Sequence, residues 1–166
     1  EKLIRRHPHI YGNVRVKDEE EVKQNWEKLK MKEGKKSILS GVPQSLPALV
    51  KAYRMQEKTA KVGFEWDETE KVWQKVKEEF GELEEARKSG NKKDVEEEFG
   101  DALFALVNYA RFIDVDPETA LARSNSKFKQ RFEYIEEKAD GPLDQMSLED
   151  MDALWNEAKV LEKNGS

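Results

Sequence analysis

The sequence contains no cysteine among its 166 residues, which excludes disulfide staples, thiolate zinc sites and cysteine nucleophiles and is compatible with a reducing compartment. No apolar run approaches the roughly 18–20 residues needed to span a bilayer, and the N-terminus is charged rather than signal-like. A cytoplasmic chain with no membrane or export function is therefore expected. Histidine is scarce: the two present, His7 and His9, flank Pro8. That leaves no Glu-x-x-His pairs for a di-iron bundle and no His-Glu-x-x-His for a metalloprotease. A glycine-rich phosphate loop of the Walker type is missing too. No segment sustains the alternation of a strand.

Charge and helical periodicity fill the space these absences leave. Charged residues make up 39% of the chain while the formal net charge is only −5, so both signs are dense and interspersed, as on soluble helical bundles. Such a balance carries no general nucleic-acid footprint. The length suits one compact domain with a sizeable core plus extra terminal segments. Helical periodicity recurs from end to end, and the fold class expected is all-α, a helical bundle.

The run over 1–6 is helix-like but has no capping residue ahead of it, and His7-Pro8-His9 breaks it, so it reads as the end of a helix begun earlier. A helix over 18–33 follows, with Asp18 as N-cap and Val22, Trp26 and Leu29 as its apolar stripe. After Gly34 a linker runs to Pro43. Ser45 is expected to cap the next helix, with Pro47 in its first turn. Leu46, Leu49, Val50 and Tyr53 face inward there, and Lys51, Arg54, Lys58 and Lys61 form a basic stripe that is either a solvated face or a surface for an anionic ligand.

Past the loop 63–66, the helix after Asp67 sets Val72, Val76, Leu83 and Ala86 on a seam, with Glu79 where another apolar residue belongs. Ser89-Gly90-Asn91 closes it and turns the chain into an antiparallel helix, which is mostly apolar over 102–113 and should be the most buried element. Asp116 caps a further helix, with Pro117 in its first turn, running to about Ala139 with Leu121, Phe128, Phe132 and Ile135 inward. Gly141 and Pro142 break it. A last helix starts after Ser147, where Ser147 and Asp150 resemble a capping box, and carries Leu148, Met151, Leu154 and Trp155.

Two short similarities hint at an internal repeat: Lys2-Leu3-Ile4-Arg5-Arg6 with Lys127-Phe128-Lys129-Gln130-Arg131, and Trp26-Glu27-Lys28-Leu29-Lys30 with Trp155-Asn156-Glu157-Ala158-Lys159. Chance likeness of lysine-rich helices explains them equally well.

The candidate chemistry lies in two acid pairs, Glu79 with Glu82 and Glu98 with Asp101. A three-residue spacing puts both members of a pair on one helix face, and the short turn at Gly90 brings the two helices together. Magnesium takes hard oxygen ligands and usually keeps waters, so a few carboxylates suffice and substrate phosphates complete the shell. The competing reading is an acidic solvated face in a glutamate-rich chain, where Glu82 with Glu85 makes another such pair by accident. Burial of the cluster without a cation would be costly through repulsion and desolvation. Asn108 lies two turns past Asp101 on nearly the same face and is either a structural hydrogen bond or a contact to substrate. Lys127 and Arg131, four apart, combine a point charge with a bidentate fork and suit a polyphosphate chain, although alone they would be ordinary surface cations. Trp66 and Trp155 are candidates for stacking on a nucleobase, or core residues.

Glu79-x-x-Glu82 and, after fifteen intervening residues, Glu98-x-x-Asp101 resemble the metal motif of the all-α nucleoside triphosphate pyrophosphohydrolases, and the surrounding wording resembles the MazG type. Ser45-Leu46-Pro47-Ala48-Leu49, Val62-Gly63-Phe64-Glu65-Trp66, the run from Glu97 to Asn108 and Asn125-Ser126-Lys127-Phe128 resemble that family's C-terminal repeat. Arg6-His7-Pro8-His9-Ile10-Tyr11 resembles the end of its first repeat. The resemblance implies three parts: tail helices of a preceding repeat over 1–33, a linker over 34–43, and a catalytic all-α domain over 44–166 completed by homodimerisation. It implies hydrolysis of nucleoside triphosphates between the α- and β-phosphates, giving the monophosphate and pyrophosphate, with Mg2+ as cofactor and Mn2+ as a substitute. Glu79, Glu82, Glu98 and Asp101 would hold the metal, with Glu79 or Glu98 acting on the attacking water. Lys127 and Arg131 would contact the triphosphate and Lys75 would reach it from one turn before Glu79, while Asn108, Trp66 and Trp155 complete the expected substrate contacts. Gln130 and Gly81 depart from the family's wording without touching a proposed ligand. Two rivals stand beside this: a dUTPase-like enzyme restricted to one nucleotide, and a non-catalytic helical interaction module.

Overall fold

The structure, a computed structural model, describes residues 37–164, with side chains to Lys163. The expected tail helices over 1–33, with Asp18, Trp26 and the first copies of the repeat, lie outside the described residues. Five α-helices follow in order: α1 (Ala48–Ala60), α2 (Thr69–Ser89), α3 (Lys92–Phe112), α4 (Pro117–Lys138) and α5 (Leu148–Asn164). Short 3-10 turns occupy Ile38–Gly41 and Leu143–Gln145. No strand occurs among the described residues, so the fold is all-α as the periodicity requires. No helix among them is long and apolar enough to cross a membrane. Two compact units divide between Pro117 and Glu118.

In the first unit, the stretch expected as linker contains the Ile38–Gly41 turn, which Ser37 caps by accepting the Leu39 N–H at 3.1 Å and which packs on α1. The start of α1 differs from expectation. Ser45 is not the cap; Pro47 holds that position at φ −52°, ψ 148° with no side-chain cap, and its carbonyl oxygen accepts the Lys51 N–H at 2.8 Å. Proline fixes the φ needed there, so the helix begins after it without a serine. Leu46, Leu49, Val50 and Tyr53 are only half-buried, and the buried side chain of α1 is Gln56. On the basic stripe, Arg54 and Lys61 bracket Glu57 at 2.8 and 3.6 Å.

The α2 seam is as expected: Val72 and Val76 are 1% and 0% exposed, and Glu79 lies buried in line with them. Gly90 ends α2 at φ +76°, a left-handed conformation that costs an L side chain about 1–2 kcal/mol. Asn91 then caps α3, its Oδ1 accepting the Lys93 N–H at 3.0 Å, so only two residues separate the helices. α2 and α3 pack against each other, and α1 packs on α3. The buried positions of α3 are Ala102, Ala105, Val107 and Ala110, more than any other described helix supplies. Three of these are alanines, which admit close approach of the neighbouring backbone, while Phe99, Leu103 and Phe104 remain exposed.

In the second unit α4 starts at Pro117 and stops at Lys138, one residue short of expectation. Of its expected inward residues only Ile135 is buried; Leu121, Phe128 and Phe132 are exposed. The unit offers α4 a single helical partner, and one partner covers one stripe. Phe128 lies parallel to Phe132 at 6.2 Å and tilted against Trp155 at 5.3 Å. The serine half of the expected capping box of α5 forms, Ser147 Oγ accepting the Asp150 N–H at 3.1 Å, and the same hydroxyl donates to Asp150 Oδ2 at 2.6 Å. Leu148, expected on the apolar stripe, is 81% exposed in the first turn of α5.

Candidate metal centre and its cavity

α2 contributes Glu79 from its buried seam, and the first half of α3 contributes Glu98 and Asp101, one turn apart on the same face. One carboxylate oxygen from each of the three falls within 4.8 Å of the others. Glu82 is not in that group; it stands exposed one turn beyond Glu79. Its charge nevertheless acts on the cluster. Burial, and after it the like charges of Glu82, Asp101 and Glu79, push the Glu98 carboxyl above its ordinary pKa.

Lys75 is the cation at this centre. Its Nζ donates to Glu78 Oε1 at 2.7 Å and lies 2.8 Å from Glu79 Oε1. These two bonds hold the ammonium group above its ordinary pKa. One lysine against three converging carboxylates leaves the centre negative. A donor set made only of hard oxygens matches Mg2+ or Mn2+ rather than zinc or copper, so the residues fit the divalent ion expected from the sequence.

Beside the acids opens a cavity of about 600 Å3, within the range of small-molecule sites, with Lys75, Glu79 and Asp101 in its lining. Trp66 and Asn108 line it as well, which brings four expected site residues and one metal ligand of the second helix into a single space. Asn108 also has a structural partner, its Oδ1 accepting from Arg111 Nη2 at 3.1 Å.

Three residues of this cavity escaped the sequence reading. Arg111 bridges Asn108 on α3 and Glu65 in the loop before α2, tying the Trp66 loop to the helix that carries Asp101. Burial lowers the pKa of its guanidinium, and its Nε bonds to no group among the described residues. Gln56 enters from α1, its Nε2 donating to the Phe104 carbonyl oxygen at 2.8 Å. A signal existed for two of them. Arg111 is the only charged residue within 102–113, and Gln56 continues the Leu49, Val50, Tyr53 stripe as Glu79 continues its own.

Lys127, Arg131 and Trp155 belong to the second unit. Arg131 makes a two-bond pair with Glu162, Nε to Oε1 at 3.1 Å and Nη2 to Oε2 at 2.8 Å, and its guanidinium lies 5.3 Å from the Trp155 ring centre. This pairing raises the arginine pKa and lowers that of Glu162. Lys127 is exposed and contributes to the lowering at Glu162. Trp155 is half-buried between Phe128 and Arg131.

Comparison with known proteins gives the same direction. Residues 67–136 match the family model described as the MazG nucleotide pyrophosphohydrolase domain, a span that holds all four acids, Lys75, Asn108, Lys127 and Arg131. The chain is 44% identical over 165 residues to the nucleoside triphosphate pyrophosphohydrolase/pyrophosphatase MazG of Thermotoga maritima, covering 96% of this chain and 62% of that protein. It is 50% identical over 170 residues to the uncharacterized protein YabN of Bacillus subtilis, covering 98% of this chain and 35% of that one. To the nucleoside triphosphate pyrophosphohydrolase of Escherichia coli K12 it is 39% identical over 168 residues, covering 96% and 64%. The chain thus spans less than two thirds of the length of each of these relatives.

Proposed function

We propose that this chain, whose residues 67–136 match the model of the MazG nucleotide pyrophosphohydrolase domain, hydrolyses nucleoside triphosphates to the monophosphate and pyrophosphate with Mg2+. The observation that carries this reading is the convergence of the Glu79, Glu98 and Asp101 oxygens within 4.8 Å beside a cavity that Glu79 and Asp101 line and that is large enough for a nucleotide fragment.

Glu79, Glu98 and Asp101 would hold the ion, with Glu82 as the proposed fourth ligand. When bound, a divalent cation there supplies neutralisation of phosphate charge and acidification of water, with Mn2+ able to replace Mg2+. Water attacks the α-phosphorus, the bond from that phosphorus to the α,β-bridging oxygen breaks, and pyrophosphate leaves with the electron pair. The proton of the water goes to a carboxylate. Glu98 suits this better than Glu79, because Lys75 already occupies Glu79 Oε1. Lys75, which lines the same cavity, neutralises phosphate oxygens. Lys127 and Arg131 are our proposal for further contacts to the phosphate chain, and Trp155 for a contact to substrate.

We also infer a homodimer. Trp73 and Phe80 on α2 and Phe99 and Leu103 on α3 are exposed, and large apolar surfaces of this kind on a helical domain fit burial against a second copy. Sedimentation equilibrium of the wild type and of Phe99→Glu tests this, since a monomeric wild type overturns it. The boundaries at 33 and 43, with 44–166 as the catalytic part, belong to the same proposal.

Pyrophosphate release from the common triphosphates, with and without Mg2+, tests the activity. Turnover confined to dUTP would favour the one-nucleotide rival, and no release under any condition would favour the interaction module.

A further inference from the structure

Gln56 is 7% exposed, and its carboxamide is fixed at one end only. Nε2 donates to the Phe104 carbonyl oxygen at 2.8 Å, whereas Oε1 is buried and accepts from no group among the described residues. The commitment of Nε2 prevents the amide from turning over, because reversal would set two carbonyl oxygens against each other. The side chain is therefore a fixed acceptor. Buried acceptors without a donor are rare in folded proteins, and one on a residue that lines a cavity takes its donor from what enters there, water or ligand. Gln56 lines the same cavity as Glu79 and Asp101, together with Trp66, Asn108 and Arg111.

We propose that Gln56 reads the nucleobase, its Oε1 accepting a hydrogen bond from an N–H on the hydrogen-bonding edge of the base. The proposal rests on the pyrophosphohydrolase reading: a triphosphate drawn to the ion and Lys75 leaves its base for the remainder of the cavity, where Trp66 offers a ring face. An acceptor that nothing else satisfies favours bases that present a donor over isosteres that present a carbonyl oxygen. The donor comes either from an exocyclic amino group, as in adenine and cytosine, or from a ring N–H, as in hypoxanthine and uracil. Both have the same chemistry at Gln56 and predict opposite preferences.

The test is kcat/KM for ATP against ITP and for CTP against UTP, with N3-methyl-UTP and base-free ribose 5-triphosphate as controls. Wild-type protein is expected to prefer one member of each pair by about 10–100-fold. Preference for ATP and CTP identifies the amino group as the donor. Preference for ITP and UTP, abolished by N3-methylation, identifies the ring N–H. Gln56→Met should reduce either preference to within about 3-fold and leave ribose 5-triphosphate unchanged. Equal turnover of both members of each pair by the wild type overturns the proposal, and this arm requires no folded variant. So does a Gln56→Met protein that keeps the preference, or that slows ribose 5-triphosphate as much as the nucleotides. Calorimetric affinities for α,β-methylene analogues of the same pairs separate the two layers of inference. A base preference in binding that depends on Gln56 upholds the proposal even if no pyrophosphate is released, while absence of release from every substrate removes the catalytic reading alone.

Discussion

Replacing Glu79 by Gln separates a metal ligand from a structural ion pair, because the two roles predict opposite changes in stability. Glu79 shares a space of 4.8 Å with Asp101. Two unit charges at that separation repel by about 1 kcal/mol in water-like surroundings and by about 3.5 kcal/mol at an effective dielectric near 20. Against this stands the pair with Lys75 at 2.8 Å. The lysine side chain is 37% exposed and keeps Glu78 as a second partner, so solvent screening holds the loss below about 1 kcal/mol. Glu79→Gln should therefore leave the metal-free protein as stable as the wild type or more so, raising Tm by up to about 8 °C. With millimolar Mg2+ the order reverses, since the wild type gains stability by binding the ion and the variant gains little. Scanning fluorimetry in EDTA and in Mg2+ reads both effects, and pyrophosphate release should fall at least about 100-fold. A variant that melts several degrees lower in EDTA, or keeps the full Mg2+ increment, would refute the assignment and leave Glu79 as a partner of Lys75 only.

Asp101→Asn should keep the fold and lose Mg2+-supported turnover, and normal activity with normal metal dependence would remove Asp101 from the site. Arg131→Ala should lower kcat/KM for triphosphates about 10–100-fold, whereas Glu162→Gln, which breaks the same ion pair from the other side, should leave kcat/KM unchanged or raise it; equal losses in the two variants would mean that the pair is structural. Gly90→Ala should cost about 1–2 kcal/mol by denaturant titration while KM stays constant, since no atom lies within 4 Å of the added methyl and the penalty comes from φ +76° alone.

Much of the first unit was legible because its residues obey local rules. Glu79 could be singled out because Val72 and Val76 define a seam whose next position is apolar in an ordinary helix, and Gly90-Asn91 marked both a helix end and a helix start. The partnership of Glu98 with Asp101 followed from spacing, but the choice of Glu98 over Glu96 and Glu97 needed the family's wording, since each points elsewhere on one helix. Gln56 and Arg111 were harder to see. Their significance depends on α1 and α3 facing one cavity, and helix–helix packing leaves no periodic trace in either segment by itself. The exposure of Leu121, Phe128 and Leu148 was misjudged because periodicity shows which residues share a stripe, not whether anything covers it.

The two-residue turn at Gly90-Asn91 has a consequence for how the centre comes into being. Glu79 and Asp101 are 22 positions apart in the chain, and all three converging acids lie within one helical hairpin. Closing so short a segment carries a small entropic penalty, and contacts this local form early in folding. The acid cluster can therefore assemble before distant segments are in place. Any divalent ion bound there would stabilise the hairpin by itself, without waiting for α1 or the second unit to fold.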